Sequence, residues 1–303
     1  IPAFADMQVY QEGKLAPATQ TMTVHQLFTH TAGLSYGYPD DHPVHKLLDT
    51  PVNTDPVTDG LDYATRIAAL PLQYEPGSAW HYSFASDVLG ALVEVASGQS
   101  LADYFAEHIF SPLSMIDTSY SVSDEKITRL TTAHQWDSQA AQLQELSGPP
   151  FSAPYRYLPV DGGGAGLVST AGDYLRLLEM LRQGGSLDGQ RILGPKTVQF
   201  MTLDHLPRSL TDANEGENLN LTLGRGGSHG LGIGIYLDPV RRGVLSSPGE
   251  LEWGGAYQTI YWWDPVEDIL LVSMLQLGGS PFSLQYRDDL AVAVYQALTT
   301  LQP

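Results

Sequence analysis

Residues 252–276 read EWGGAYQTIYWWDPVEDILLVSMLQ, and this stretch decides the fold class. Residues 252–263 and 269–276 are rich in aromatic and branched aliphatic side chains, which predicts two β-strands. Residues 264–268 (DPVED) have the Asp and Pro composition of a turn, so the two strands are expected to form an antiparallel hairpin. With a third strand predicted over residues 230–237, this part of the chain should form an antiparallel meander.

The rest of the chain shows mainly helical periodicity. Residues 83–96 carry an apolar stripe at helical spacing, and Thr170 is a plausible N-cap for a helix over residues 171–183. Further helices are predicted over residues 24–33, 61–70, 100–110, 195–201 and 282–301. Residues 137–165 and 207–229 are polar and rich in Gly, Pro or Asn, so they are expected to be loops. We therefore expect an α+β fold, an α/β sandwich with an antiparallel sheet plus a mainly helical region.

The composition limits the possible functions. The chain has 303 residues, and its net charge of -19 comes from 34 acidic and 15 basic residues. Phosphate contacts need Lys and Arg, so no nucleic-acid partner is expected, and an anionic membrane surface is disfavoured for the same reason. No apolar run reaches the ~18 residues of a membrane span, so we expect a soluble protein, cytoplasmic or secreted to the periplasm or beyond. The absence of cysteine excludes disulfides, thiolate metal sites and cysteine nucleophiles.

Four short segments carry the information about function. They read LFTHTAGL (27–34, with Tyr36 two positions later), PGSAWHYS (76–83), GGAGLVST (163–170) and WGGAY (253–257). In this order they resemble segments of the serine β-lactamase-like and penicillin-binding-protein-like hydrolases, which have the class C β-lactamase fold. The resemblance is closest to the family VIII carboxylesterases of that fold, and it covers nearly the whole chain.

The resemblance implies a catalytic site in three parts. In the family, the serine of a Ser-x-x-Lys helix is the nucleophile, and the lysine one turn later helps to deprotonate it. A tyrosine is the general base and then the general acid, and Tyr82 stands at that position. The strand with Trp253, Gly254 and Gly255 borders the cleft, and the Ala256 N–H is expected to bind the oxyanion. No cofactor is implied.

Two departures from the family pattern bear on the substrate. Phe84 stands where the pattern has asparagine, and Trp253 stands where the β-lactamases have the lysine of Lys-Thr-Gly. The first change makes the cleft more apolar, and the second removes a partner for a substrate carboxylate. Phe84 and Tyr36 are assigned to substrate binding with the Trp253 strand, and a small or short-chain ester is the expected substrate. A β-lactamase or D,D-peptidase of the same fold is the first alternative.

The nucleophile is missing from this sequence. The chain has four lysines, and only Lys126 has a serine three residues before it, Ser123. We reject this pair because the family places the nucleophile before the segment 27–34, and because Asp124 and Glu125 would raise the pKa of the lysine. The chain is expected to be N-terminally truncated, with the Ser-x-x-Lys segment upstream, on a separate polypeptide, or lost by proteolysis. An inactive fragment or a binding module is the second alternative.

With this truncation, three regions are expected. Residues 1–22 would be the remnant of an N-terminal α/β segment, residues 23–165 a mainly helical region, and residues 166–303 an α/β region with the antiparallel sheet and a C-terminal helix. In the class C β-lactamase fold, the first strands and the serine-bearing helix come before these regions. Without them, one edge and one face of the meander would be uncovered.

The histidines do not predict a metal site. His42 and His45 are separated by a proline and a valine, and His25 and His30 have no carboxylate at a known ligand spacing, so no metal is expected. His30 is expected to be a structural hydrogen-bonding group in its turn. The glycines of residues 162–166 are not followed by the Gly-Lys-Ser/Thr of a phosphate loop. No Gly-x-Ser-x-Gly nucleophile elbow is expected, so the α/β-hydrolase fold is rejected as an alternative.

Overall fold

The computed structural model describes residues 1–36, 42–48, 57–147, 160–211, 222 and 224–302. Within these residues the strands are β1 (Gln8–Gln11), β2 (Lys14–Pro17), β3 (His134–Asp137), β4 (Gln142–Glu145), β5 (Ser186–Leu187), β6 (Gln190–Arg191), β7 (Gly227–His229), β8 (Gly234–Tyr236), β9 (Glu250–Gly254), β10 (Ile260–Asp264), β11 (Ile269–Ser273) and β12 (Leu277–Gly278). The α-helices of the same residues are α1 (Val24–Phe28), α2 (His45–Leu48), α3 (Gly60–Ala68), α4 (Ala85–Ser97), α5 (Leu101–Phe105), α6 (Ala171–Arg182), α7 (Pro195–Met201), α8 (Arg208–Thr211), α9 (Pro239–Arg242) and α10 (Ser283–Tyr295). Two 3-10 helices cover Pro2–Phe4 and Ile127–Arg129, and a π-helical segment covers Ala106–Phe110.

The main sheet is an antiparallel meander, as predicted. Its strands lie in the order β11-β10-β9-β8-β7, and every neighbouring pair is antiparallel. β10 and β11 are joined at the predicted turn, where the Asp264 carboxylate accepts the N–H groups of Val266 and Glu267 at 2.8 and 3.0 Å. The prediction of an α+β fold with an antiparallel sheet is therefore confirmed.

The prediction of one strand over residues 252–263 is wrong, because this stretch is a hairpin. β9 ends at Gly254, and β10 begins only at Ile260. The Gly255 N–H donates to the Thr259 carbonyl at 2.7 Å and closes the turn between them. Because the aromatic composition continues through this turn, the sequence did not indicate that the strand ends at Gly254.

The predicted strand over residues 230–237 begins only at Gly234, and β7 lies before it, at the end of the predicted loop of residues 207–229. β7 ends at His229 and β8 begins at Gly234. Between them the Gly230 N–H donates to the Ile233 carbonyl at 2.7 Å, and Gly232 has a φ of +76°, which a glycine adopts at little cost.

Helices lie on both faces of the meander, so the expectation of one uncovered face is not met at β10. On β10, Ile260 and Trp262 pack against Ala291 of α10. Because side chains alternate along a strand, Tyr261 lies on the opposite face, where its ring is 5.2 Å from the ring of Tyr174 on α6. The sheet therefore lies between the C-terminal helix and α6, which is the expected sandwich.

The helical part is built around α4. This helix packs against α3 and α1 and ends at Gly98, whose φ is +72°. A Cβ on Gly163 would overlap the Ser86 carbonyl oxygen. A glycine is therefore required where residue 163 crosses α4. Among the helices of the described ranges, none is long and apolar enough to cross a membrane.

Two hairpins lie in regions where loops or no elements were predicted. β1 and β2 pair through a turn in which Glu12 and Gly13 both have positive φ, and the fully buried Val9 packs into the core. β3 and β4 form a second hairpin, so the loop predicted from residue 137 begins instead with paired strands. The part of that predicted loop at residues 148–159 lies outside the described residues.

A buried carboxylate attaches the start of α6 to residues 117 and 118, which follow the π-helical segment. Asp173 is the third residue of α6, and its N–H is bound by the N-cap hydroxyl of Thr170 at 3.2 Å. Its Oδ2 accepts the Asp117 N–H at 2.7 Å and the Thr118 hydroxyl at 2.9 Å. The side chain thus satisfies two donors that its burial keeps from water.

We expect the substitution D173A to lower the free energy of unfolding by about 2–4 kcal/mol, because each buried donor left unpaired costs about 1–3 kcal/mol. Asp103 is the matched control, since it occupies the same position of a serine-capped helix but is exposed. D103A should cost less than about 1 kcal/mol. Urea unfolding of both variants measures the difference, and equal losses would contradict this account of Asp173.

Candidate active site

The structure brings four of the predicted site residues into one aromatic cluster. Tyr82 lies in the extended segment before α4, and its ring is 5.3 Å from the ring of Tyr36 and 5.6 Å from that of Trp253 on β9. Phe84 is the N-cap residue of α4, and its ring is 4.3 Å from that of Tyr36. Residues from both the helical part and the sheet therefore meet at Tyr82.

His30 holds the segment of Tyr82 from both sides. The His30 carbonyl accepts the His81 N–H at 2.9 Å, and His30 Nδ1 lies 3.4 Å from the Ser83 hydroxyl. The His30 ring is 4.8 Å from the Tyr82 ring and stacks parallel to that of Trp253 at 6.4 Å. His30 has a φ of +52°, an uncommon conformation for a residue with a Cβ. The expected role of His30 as a structural hydrogen-bonding group agrees with these contacts.

His229 closes the cluster from behind and was missed by the interpretation of the sequence. It is fully buried at the end of β7, and its ring is 5.5 Å from that of His30 and 5.2 Å from that of Trp253. Nδ1 lies 2.7 Å from the Gly230 carbonyl oxygen, which makes Nδ1–H the donor. Burial lowers the pKa of His229 to about 4, and burial, followed by the nearby His229 and His81, lowers the pKa of His30 well below its ordinary value. Both imidazoles are therefore neutral near pH 7.

Tyr36 is fixed by a buried carboxylate. Its hydroxyl donates to Asp87 Oδ2 at 2.9 Å, and the Gly164 N–H donates to Asp87 Oδ1 at 3.1 Å. A Cβ on Gly164 would lie 2.5 Å from the Tyr36 oxygen and 2.7 Å from Asp87 Oδ2, so a glycine is required there. Burial, and then the adjacent Asp87, raise the pKa of Tyr36 well above its ordinary value, and burial also raises the pKa of Asp87. Tyr36 is therefore a poor proton acceptor.

The turn after β9 carries Gly255 and Ala256, and both residues are exposed. The Gly255 carbonyl accepts the Gln258 N–H at 3.0 Å, and the buried Gln258 has a φ of +68°. In the parts of the chain that the structure describes, the Ala256 N–H has no hydrogen-bond partner. This donor is therefore available to an oxygen of a ligand.

The sequence contains two Gly-x-Ser-x-Gly patterns that were not predicted, GLSYG at residues 33–37 and GGSHG at residues 226–230. In the second pattern, Ser228 is fully buried within strand β7. In the first, Ser35 is also buried, and it follows α1 instead of standing on an exposed turn between a strand and a helix. Its hydroxyl lies 3.0 Å from His81 Nε2 and 3.0 Å from His45 Nε2. His45 Nε2 is also 3.0 Å from Gln73 Oε1. Ser35 thus belongs to a buried network behind Tyr82.

The pair Ser123 and Lys126 has no catalytic geometry. The Lys126 ammonium donates to Asp117 Oδ1 and to the Ile116 carbonyl, both at 2.7 Å. Asp117 also binds Arg129, and hydrogen bonds from Arg129 and Lys126 lower the pKa of this carboxylate. An ammonium held in this way is a poor base, which agrees with the rejection of this pair.

The histidines noted in the sequence do not gather around a possible ion. His25 Nε2 is 3.1 Å from His205 Nδ1, and His45 belongs to the Ser35 network. Across the described ranges, no three His, Asp or Glu side chains are placed so that they could hold a metal ion.

Comparison with known proteins supports the motif assignment. The family model described as Beta-lactamase matches residues 5–296. The chain is 34% identical over 267 residues to Protein Rv1367c of Mycobacterium tuberculosis, covering 86% of this chain and 63% of that protein. It is 29% identical over 304 residues to Esterase EstB of Burkholderia gladioli, covering 91% of this chain and 71% of the esterase.

A solved structure, that of "EstCE1, a hydrolase with promiscuous acyltransferase activity", has a TM-score of 0.77 and 27% identity to this chain. The two share 97% of this chain and 75% of the other. This chain therefore spans about two thirds to three quarters of the length of these proteins, and 63% in the case of Protein Rv1367c. Because the family model matches nearly the whole sequence and the fold agrees, this chain belongs to the Beta-lactamase family.

Proposed function

We propose that the protein containing this chain is a serine hydrolase that cleaves small or short-chain carboxylic esters through an acyl-enzyme, with Tyr82 as its general base and acid. The observation that carries the proposal is the position of Tyr82. Its ring lies between Tyr36 and Trp253, and the residues on both sides of it contact His30. A proton carrier needs such a fixed position to reach both reacting oxygens.

The proposed reaction has two halves. As the serine oxygen bonds to the ester carbonyl carbon, Tyr82 takes the serine proton, and it then passes this proton to the alcohol oxygen as the C–O bond breaks. Water next attacks the acyl-serine carbonyl carbon and gives its proton to Tyr82, and Tyr82 returns this proton to the serine oxygen as the acyl C–O bond breaks, which releases the carboxylic acid and the free serine. The Ala256 N–H would stabilise the oxyanion in both halves. The strong hydrogen bond of Tyr36 to Asp87 favours Tyr82 over Tyr36 as the proton carrier.

We propose that the nucleophilic Ser-x-x-Lys is supplied by residues outside this chain, so that this chain alone is inactive. The only Ser-x-x-Lys sequence in the chain is Ser123 to Lys126, and Lys126 is bound to Asp117. Among the described residues, β11 pairs with β10 alone, so its other edge is available for a further strand. Two sources fit, an earlier part of the same protein or a separate polypeptide.

The walls of the cluster support an ester as the substrate. The wall is made of aromatic side chains without a formal charge, those of Tyr36, Tyr82, Phe84 and Trp253. A β-lactam carries a carboxylate, for which this wall offers no lysine or asparagine. The relative Esterase EstB is named for ester hydrolysis.

Acyl transfer to an alcohol is the second candidate function. It uses the same acyl-serine, and an alcohol replaces water in the second half of the reaction. The structurally similar hydrolase EstCE1 has promiscuous acyltransferase activity, and an apolar wall suits an alcohol as acceptor.

Removal of the Tyr82 hydroxyl should slow turnover strongly while the packing of the aromatic cluster is kept. In the complete protein, we expect Y82F to lower kcat/KM for p-nitrophenyl butyrate by about 10²–10⁴-fold, because proton transfer by a positioned group contributes that much. The phenyl ring can still pack against His30 and Trp253. Y104F, on α5, is the matched control and should be unchanged. Equal activity of Y82F and the wild type would remove Tyr82 from the mechanism.

The position of the nucleophile can be read directly with a fluorophosphonate probe. After labelling of the complete protein, peptide mass spectrometry should find the adduct on a serine outside residues 1–303, and Y82F should slow its formation. An adduct on Ser35 or Ser123 would overturn the proposed position. The absence of any adduct would favour a binding module or an inactive fragment.

The substrate class predicts a preference that can be measured. Turnover of p-nitrophenyl butyrate should exceed that of nitrocefin by at least about 100-fold, because each missing hydrogen bond to a charged group costs about 1.5–3 kcal/mol. F84N should lower the ratio of ester turnover to nitrocefin turnover, because it restores the asparagine amide that the family pattern has at this position. Parallel assays with butanol distinguish transfer, which yields butyl butyrate, from hydrolysis. Comparable rates for nitrocefin and the ester would favour the β-lactamase alternative.

A further inference from the structure

We propose that Arg287 of α10 is a positioning residue that fixes the turn of residues 255–259 and thereby the direction of the Ala256 N–H. This inference rests on the proposed function for its catalytic meaning, and on contacts behind β9 for its structural meaning. Those contacts lie on the face of the sheet opposite to the side chain of Trp253.

Alternate residues of β9 bind charged or hydroxyl groups behind the sheet. Glu250 accepts hydrogen bonds from Arg242 and from the Tyr295 hydroxyl. Glu252 accepts the Tyr236 hydroxyl at 2.8 Å and the Arg242 guanidinium at 3.3 Å. Because side chains alternate along a strand, Gly254 is the next position on this same face.

Arg287 occupies the space behind Gly254. A Cβ on Gly254 would overlap the Arg287 guanidinium and would lie 2.9 Å from the Thr259 carbonyl oxygen. The guanidinium therefore lies directly against the backbone where β9 enters the turn, and only a glycine permits this approach. Its Nη1 lies 3.5 Å from Glu252 Oε1, which connects it to the charged groups behind the strand.

The same helix holds the other side of the turn. Ser283 is four residues before Arg287 and so lies on the same face of α10. The Ser283 hydroxyl accepts a hydrogen bond from the Gln258 side chain, and Gln258 is buried with a φ of +68°. α10 therefore contacts the turn both before and after Ala256, at Gly254 and at Gln258.

This arrangement also supplies charge where the reaction needs it. In the proposed reaction, negative charge develops on the substrate oxygen that the Ala256 N–H binds. Without the Arg287 guanidinium, Glu250 and Glu252 would face Arg242 alone, and the added negative potential would oppose that charge. Substitution of Arg287 should therefore act on kcat more than on KM, because its effect appears in the transition state.

The test compares R287M and R287K in the complete protein, with R182M as the control, since Arg182 makes an ion pair with Glu179 and Asp268 elsewhere on the surface. We expect R287M to lower kcat for p-nitrophenyl butyrate at least tenfold, with KM within about twofold, because displacement of a reacting group by about 1 Å can cost about 100-fold. R287K should recover part of the loss, and R182M should be unchanged.

Hydrogen exchange tests the same proposal without relying on activity. Amide exchange in the peptide covering residues 253–259 should be faster in R287M than in the wild type, while the peptide covering α4 exchanges at the same rate in both. G254A should also speed exchange in the turn, and R287A combined with G254A should reverse part of that effect. If the wild type has no esterase activity, the proposed function fails while hydrogen exchange still decides the role of Arg287. Unchanged exchange in the turn, or changed exchange with unchanged kcat in an active enzyme, overturns the role of Arg287.

Discussion

The contacts of His30 with the segment 81–83 fix the position of Tyr82 in the aromatic cluster. The His30 carbonyl binds the N–H of the residue before Tyr82, and its ring approaches the hydroxyl of the residue after it. Because both neighbours are held, the Tyr82 ring has little freedom to leave the cluster. His30 makes these contacts with a positive φ, and burial lowers the pKa of its imidazole and so keeps the ring uncharged. The stacking of Trp253 on this ring then ties the sheet to the helical part of the molecule.

The two faces of β9 contact different kinds of side chain. On one face, Trp253 contributes an uncharged aromatic surface to the cluster. On the other, Glu250 and Glu252 meet Arg242, Tyr236 and Tyr295, and burial raises the pKa of Glu250 despite the neighbouring guanidinium. Buried charges of this kind add little net stability, but their directional hydrogen bonds allow few alternative alignments. The strand that leads into the turn with the candidate oxyanion donor is thus aligned by groups on the face opposite to Trp253.

Sequence reasoning succeeded where the signal is local. The predicted N-cap Thr170 does cap α6, because a cap acts on backbone groups two or three residues away. Sequence reasoning failed at the turn of residues 255–259, where the aromatic composition continues and the bend depends on contacts with α10. Resemblance predicted four site residues that the structure brings together, namely Tyr36, Tyr82, Phe84 and Trp253. Asp87 and His229 were not predicted, because their importance comes from partners that are distant in the chain.

The aromatic cluster joins residues 30, 82, 229 and 253, which are separated by as many as 223 positions in the chain. Contacts of this kind form only after the entropy of closing long loops has been overcome, which slows their formation. The helices around α4 can form from local contacts, whereas the aromatic cluster forms only once β7 and β9 have joined them. A nascent or partly unfolded chain would therefore hold much of its helical structure before Tyr82 had a binding partner on the sheet. Assembly of the aromatic cluster is then a late event in folding, and it reports on the joining of both parts of the molecule.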